Sequence, residues 1–133
     1  MKLIDAVKAY RAAEKLSFQT GLKRGTSIKV FLLREALKSA FIYDSDEERK
    51  VIESHPNFDP VKGYVIATDG DPVTAINERK QIEKELDDLH NSEWDNEQFN
   101  NLPAQFEIGE DEKIDTLTPD DIGALMPFIE FTT

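Results

Sequence analysis

Two apolar stripes at helical spacing, separated by a short connection, constrain the fold of this chain most. The first stripe predicts a helix over about residues 2–18, and the second predicts a helix that begins near Ile28. The connection covers residues 21–27, and Thr26 or Ser27 is expected to cap the second helix through its side-chain oxygen. Because the connection is short, the two helices are expected to form an antiparallel hairpin.

The residues that face each other across this hairpin should form the main core. Those expected to meet are Val30, Leu33, Leu37 and Phe41 of the second helix and Leu3, Val7 and Tyr10 of the first. Phe31 and Leu32 broaden the second stripe, and Phe18 lies mainly on the first. The pattern therefore predicts core positions for these three residues as well.

The end of the second helix has two interpretations. The apolar pattern lapses over residues 44–48, where Ser45 and Glu48 fit a capping box, so a kink or a restart is one possibility. The favoured alternative is one continuous helix as far as His55. Pro56 must then end it, because proline disfavours helical geometry in the residue before it.

The second half of the chain alternates loops with short elements. A strand is predicted over residues 64–68, followed by a turn at Asp69-Gly70. Thr74 is expected to cap a third helix over about residues 75–91. The positions of this helix predicted to be buried are Ile76, Ile82, Leu86 and Leu89.

The last 40 or so residues combine an anchored loop with three short elements. Trp94, Phe99 and Leu102 should hold residues 91–103 as an ordered loop. Alternation predicts a strand over residues 104–108, paired with the strand near 64–68. A helix is expected over about residues 119–126, capped by Thr118, with Ile122, Leu125 and Met126 on its apolar face. Residues 128–131 are expected either to pair as an edge strand or to pack without pairing.

Together these elements predict a single domain over residues 1–133 of the α+β class, mainly helical. It should contain a long antiparallel helical hairpin, a third helix and a small two- or three-stranded sheet. The chain has no cysteine, which excludes disulfides and thiolate metal sites. Its apolar runs are far shorter than the roughly 18 residues of a membrane span, so a cytoplasmic protein is expected.

Charge is distributed unevenly along the chain. Residues 1–40 carry nine basic and three acidic residues, whereas residues 91–133 carry one basic and eleven acidic residues. The net charge of −11 argues against a nucleic-acid binder. We call residues 1–40 the basic head. The favoured interpretation is that the basic head packs against acidic segments, within one chain or between chains. The alternative is that the basic head forms a patch that binds a polyanion. The candidate interaction residues are Lys8, Arg11, Lys15, Lys23 and Arg24.

No motif predicts catalysis, a cofactor or a metal. Glu83, Asp87 and His90 share a helix face, but acidic residues are too frequent for that spacing to be informative, and both histidines of the chain are expected to be exposed or to cap a helix. No serine lies in a Gly-x-Ser-x-Gly elbow. The connection at 21–27 lacks the spacing of a phosphate loop. No metal-dependent gain in stability is therefore expected.

The order of parts resembles that of a family of small proteins from tailed bacteriophages. The parts in question are a basic helix, the connection Leu22-Lys23-Arg24-Gly25, a long helix that passes from Lys29 and Arg34 to Asp46-Glu47-Glu48, an Asp-Gly loop and the acidic segment Glu83-Lys84-Glu85-Leu86-Asp87-Asp88-Leu89. The likeness covers about residues 7–108. It implies a phage or prophage origin, and the family has no assigned activity to carry over.

The leading functional hypothesis is a non-enzymatic phage or prophage protein that acts by protein–protein assembly, either with itself as a homodimer or with another protein. Its location would be the cytoplasm of a bacterial host or the virion. One alternative is an acidic inhibitor that mimics nucleic acid, with carboxylates along one face. Another is a hydrolase whose metal is held by three or more acids in a concave pocket.

Overall fold

Two helices at the start of the chain form the predicted hairpin. The computed structural model describes residues 1–66, 71–112 and 114–132, and in it α1 covers Leu3–Ser17 and α2 covers Arg24–Glu53. Six of the seven residues expected to meet across the hairpin belong to one buried apolar cluster. The seventh, Phe41, is partly buried and packs against that cluster, where it stacks on Tyr10 at 4.9 Å between ring centroids. The predicted helical register of this core is confirmed.

The start of α2 differs from the prediction. The helix begins at Arg24, so Thr26 and Ser27 lie within its first turn and neither is its N-cap. The free N–H of Lys23 instead donates to a carboxylate oxygen of Glu112 at 2.9 Å. Glu112 is buried, and it compensates the positive end of the α2 dipole from a distant part of the chain.

The helix α2 is continuous through residues 44–48 and ends at Glu53, just before His55-Pro56, so the favoured interpretation is confirmed. A third helix, α3, covers Pro72–His90 and runs back along the C-terminal half of α2. Its N-cap is Asp71, which accepts the N–H of Val73, rather than the predicted Thr74.

The short strands pair differently from the prediction. β1 (Phe58–Asp59) and β2 (Tyr64–Val65) form one antiparallel ribbon, whereas β3 (Phe106–Ile108) and β4 (Ile129–Phe131) form a separate parallel one. The expected pairing of β2 with β3 is therefore wrong, and the segment at 128–131 is a true strand. Of the predicted strand at 64–68 and the turn at Asp69-Gly70, residues 67–70 lie outside the described residues.

The C-terminal elements close the core over α1. Helix α4 covers Pro119–Leu125, and Thr118 caps it as predicted by accepting the N–H of Asp121. A 3-10 turn at Asn96–Gln98 lies between the buried anchors Trp94 and Phe99. The main apolar cluster contains residues of α1, α2, β3, α4 and β4 together with these two anchors.

Several large apolar side chains that were expected in the core are exposed. Phe18 is 74% exposed, and Phe31 and Leu32 are each 49% exposed. Ile76 on α3 and Met126 after α4 are exposed as well, so the predictions that they are buried are also wrong. Apolar character alone does not distinguish the inner face of a helix from its outer face when both carry apolar residues.

In the part of the chain that is described, no helix combines the length and the apolar character needed to cross a membrane.

Candidate functional site

Helix α3 contributes few fully buried apolar side chains to its contact with α2. Among the described residues of α3, Ile82 is the one hydrophobic side chain that is fully buried. Each end of the contact instead holds a histidine next to two carboxylates. His55, just after α2, meets two glutamates of α3, and His90, at the end of α3, meets two acidic residues of α2.

The His55 cluster uses both nitrogens of the imidazole ring. Nδ1 lies 3.1 Å from Glu78 and Nε2 lies 2.9 Å from Glu85, so the two carboxylates approach the ring on different sides. The hydrogen bond to Glu85 raises the pKa of His55 above its usual value, burial opposes this rise and Glu78 adds to it. A protonated imidazole satisfies both carboxylates, because both ring nitrogens then donate.

The His90 cluster has a different geometry. Both carboxylates converge on Nε2 of His90, with Glu48 at 2.6 Å and Oδ1 of Asp44 at 3.2 Å. Asp44 and Glu48 are four residues apart on α2 and therefore lie on the same face of that helix. One atom from each of the three side chains lies within 4.8 Å of the others.

Asp44 is the most enclosed member of this cluster. It is 5% exposed, and its Oδ1 has no hydrogen-bond partner. The single N–H at Nε2 of His90 is used by Glu48, so the 3.2 Å approach of Asp44 to that nitrogen is a close contact without a hydrogen bond. Burial raises the pKa of Asp44, the neighbouring Glu48 raises it further, and His90 and Arg11 oppose the rise.

The sequence did not indicate this combination. It placed His90 with Glu83 and Asp87 of the same helix, whereas the structure places it against Asp44 and Glu48 of α2. Both histidines are partly buried between helices rather than exposed or capping.

One local signal for this site was present in the sequence. Asp44 follows Leu33, Leu37 and Ala40 at spacings of three and four, so it continues the buried stripe of α2. A carboxylate on such a stripe needs a polar partner.

The five candidate interaction residues are divided between contacts and exposed positions. Lys15 binds Asp121 of α4 and Lys23 binds Asp111, each at 2.8 Å. Lys8 lines an open cleft of about 550 Å³ between α1 and α4. Arg11 lies 6.0 Å from the ring centroid of Phe41, and Arg24 is exposed at the start of α2. Part of the basic head is thus matched by acidic residues of the same chain.

The cleft between α1 and α4 does not resemble the acidic pocket that a carboxylate-dependent hydrolase would need. Its charged lining residues are Asp5, Lys8 and Asp120, and it does not include the His90 cluster. Of the serines that could be nucleophiles, two have local hydrogen-bond partners. Ser39 and Ser92 donate to backbone carbonyl groups of their own helical segments, and Ser27 is exposed in the first turn of α2.

Comparisons of the chain with protein-family models, with curated proteins and with solved structures find no match.

Proposed function

We propose that this chain is a non-enzymatic protein that acts by protein–protein assembly, and that its first partner is a second copy of itself. The observation that carries the proposal is an apolar stripe on the outer face of α2. Ile28, Phe31, Leu32 and Ile42 are each between 48% and 53% exposed. They recur at helical spacing on the side of α2 opposite the buried residues, as on helices that pack against a partner.

Charge complementarity favours a second copy in the antiparallel orientation. The part of α2 before Ile42 carries four basic residues and one acidic residue, whereas the part from Ile42 onwards carries two basic and five acidic residues. Two copies of α2 that pack in opposite directions place the basic part of each copy beside the acidic part of the other. A parallel arrangement would place like charges together.

The positions of the apolar residues define one register for this pairing. Ile28 and Ile42 lie seven residues on either side of Glu35, and Arg24 and Asp46 lie eleven residues on either side. With Glu35 at the two-fold axis, Ile28 of one copy is level with Ile42 of the other, and Arg24 is level with Asp46. The hydrogen bond from Arg34 lowers the pKa of Glu35 and keeps that carboxylate ionised. The positive charge of Arg34 partly offsets the negative charge of Glu35 near that axis.

The assembly would be a homodimer, and by resemblance the setting would be a phage or prophage protein in a bacterial cytoplasm or a virion. The net charge of −11 should prevent binding to DNA or RNA at physiological salt.

The experiment measures mass by sedimentation at micromolar concentration in low salt. We expect a dimer whose dissociation constant rises with salt concentration, because the complementary charges are screened. Leu32→Asp should give a monomer. Arg24→Asp and Asp46→Arg should each weaken the dimer at least about tenfold, and the double variant should recover most of that loss. Lys84→Asp, the same charge change on the exposed side of α3, serves as the matched control.

A monomer at every salt and protein concentration would refute self-assembly. A dimer that the double variant fails to restore would refute the antiparallel register. Micromolar binding to DNA with a steep negative salt dependence would show instead that the basic head is a phosphate-binding surface.

A further inference from the structure

The His90 cluster contains more acceptors than its one hydrogen can satisfy. Nε2 of His90 carries at most one hydrogen, which is used by Glu48 at 2.6 Å. Oδ1 of Asp44 points at the same nitrogen, is 3.2 Å away and has no hydrogen-bond partner. Because Asp44 is 5% exposed, bulk water does not compensate for the missing bond. A buried, unpaired carboxylate oxygen therefore points into a compact group of three ligand atoms.

We propose that Asp44, Glu48 and His90 bind one divalent transition-metal ion, with Zn²⁺ as the ion that this set of donors fits. One imidazole nitrogen and two carboxylate oxygens are ordinary zinc ligands, whereas Mg²⁺ and Ca²⁺ prefer oxygen alone. With bonds of about 2.1 Å, tetrahedral ligands lie about 3.4 Å apart. The three ligand atoms lie within 4.8 Å of one another, so each pair must approach by no more than about 1.4 Å to reach that spacing.

Binding would replace a proton by a metal ion. If the imidazole carries two hydrogens, the Nε2–H bond breaks, the proton goes to solvent and Nδ1 keeps its hydrogen. If the imidazole is neutral, solvent takes the hydrogen from Nε2 and returns one to Nδ1. In both cases Nε2 donates its electron pair to the ion, and each carboxylate contributes one oxygen after release of any proton it holds. Two carboxylates balance the charge of the ion. The side chains of Glu48 and His90 are 38% and 25% exposed, so the ion can enter from that side and water can complete its coordination. The ion would join the end of α3 to the middle of α2.

The His55 cluster provides an internal control. It has the same composition, one histidine and two carboxylates, but Glu78 and Glu85 approach different ring nitrogens. A single ion bound at one nitrogen cannot reach the carboxylate at the other. The two clusters therefore separate the effect of convergent geometry from the effect of acidic composition.

The experiment uses the full chain after removal of metal with a chelator, and Zn²⁺ as the probe. Calorimetric titration should show one ion per chain. In contrast to the expectation from the sequence, Zn²⁺ should raise the melting temperature by several degrees in a way that chelator reverses. Nitrogen NMR of the side chains should show a metal-bound Nε2 for only one of the two histidines. Asp44→Asn, Glu48→Gln and His90→Gln should each weaken binding at least about tenfold, and His55→Gln should leave it unchanged.

Asp44→Asn keeps the shape of the buried side chain and removes its charge. Without metal it should therefore be at least as stable as the wild type, so its loss of Zn²⁺ binding cannot be explained by misfolding. The proposal is refuted if the wild type takes up less than one equivalent at low micromolar Zn²⁺. It is equally refuted if His90→Gln binds as well as the wild type, or if the NMR signal of His55 is the one that shifts.

Discussion

The register of α2 makes a strong prediction about two leucines on opposite faces of the same helix. Leu37 is completely buried in the hairpin core, whereas Leu32, five residues earlier, is 49% exposed. Replacement of either residue by alanine removes the same atoms from the same helix. The difference between the two free energies of unfolding therefore measures burial alone.

The expected magnitudes follow from that burial. Three carbon atoms lost from full burial at Leu37 cost about 2.4 kcal/mol at roughly 0.8 kcal/mol each. A cavity that does not collapse adds up to about 2 kcal/mol, so Leu37→Ala should cost about 2.5–4.5 kcal/mol. At half-exposed Leu32 the transfer cost is about halved and no closed cavity forms. Leu32→Ala should therefore cost about 1 kcal/mol or less when the chain is monomeric.

Urea unfolding provides the measurement, with the fluorescence of the single tryptophan as the signal. Trp94 is buried and packs against Tyr43 and Phe99, so unfolding should change its emission. The protein concentration is kept below the dissociation constant of the dimer, and an unchanged m-value confirms that the variants unfold in the same way. If the two variants differ by less than about 1 kcal/mol, the assigned faces of α2 are wrong.

Two further predictions concern buried charges. Folding raises the pKa of His55, so the contribution of this residue to stability is present below about pH 6.5 and is lost as the pH rises through the folded pKa. His55→Gln should therefore cost about 1 kcal/mol at pH 6 and less at pH 8.5. An equal cost at both pH values, measured by urea unfolding, would contradict this. Burial opposes ionisation of Glu112, but hydrogen bonds from Thr26 and from the backbone of Lys23 and Gly109 lower its pKa overall. Because the folded pKa lies below the unfolded one, this contribution is present above about pH 4.5 and is lost as the pH falls through the folded pKa. Glu112→Ala should therefore cost about 1–2 kcal/mol at pH 7 and less in acid, whereas a pH-independent loss would show that the carboxylate does not act as the cap of α2.

Elements that are specified by neighbouring residues were predictable from the sequence. Helix α4 begins where Thr118 and Pro119 indicate, because the cap and the first helical residue are adjacent in the chain. The start of α2 was not predictable in this way. Its capping carboxylate is Glu112, which lies 89 residues after Lys23, and no local pattern reports such a contact.

The strand pairings were missed for a related reason. Strands of two or three residues carry too short an alternation to specify a partner. The partner of β3 is also not the strand that precedes it but β4, which follows α4 in the chain. The candidate metal site was also not predictable. Asp44 and His90 lie on different helices, and acidic residues are too frequent in this sequence for any one of them to indicate a ligand.

The two proposals for α2 concern the same turns of the helix and can still be tested separately. Ile42 and Asp46 lie on the outer face, where the second copy is proposed to pack, whereas Asp44 and Glu48 lie on the side that faces α3. Residues four apart share a helix face, and residues two apart lie on nearly opposite faces. Substitution of an outer residue therefore leaves the ligand set in place, and substitution of a ligand leaves the apolar stripe in place. A monomeric variant that still binds one Zn²⁺ would separate the two activities, and so would a dimeric variant that has lost Zn²⁺ binding. Failure of one proposal would therefore leave the argument for the other unchanged.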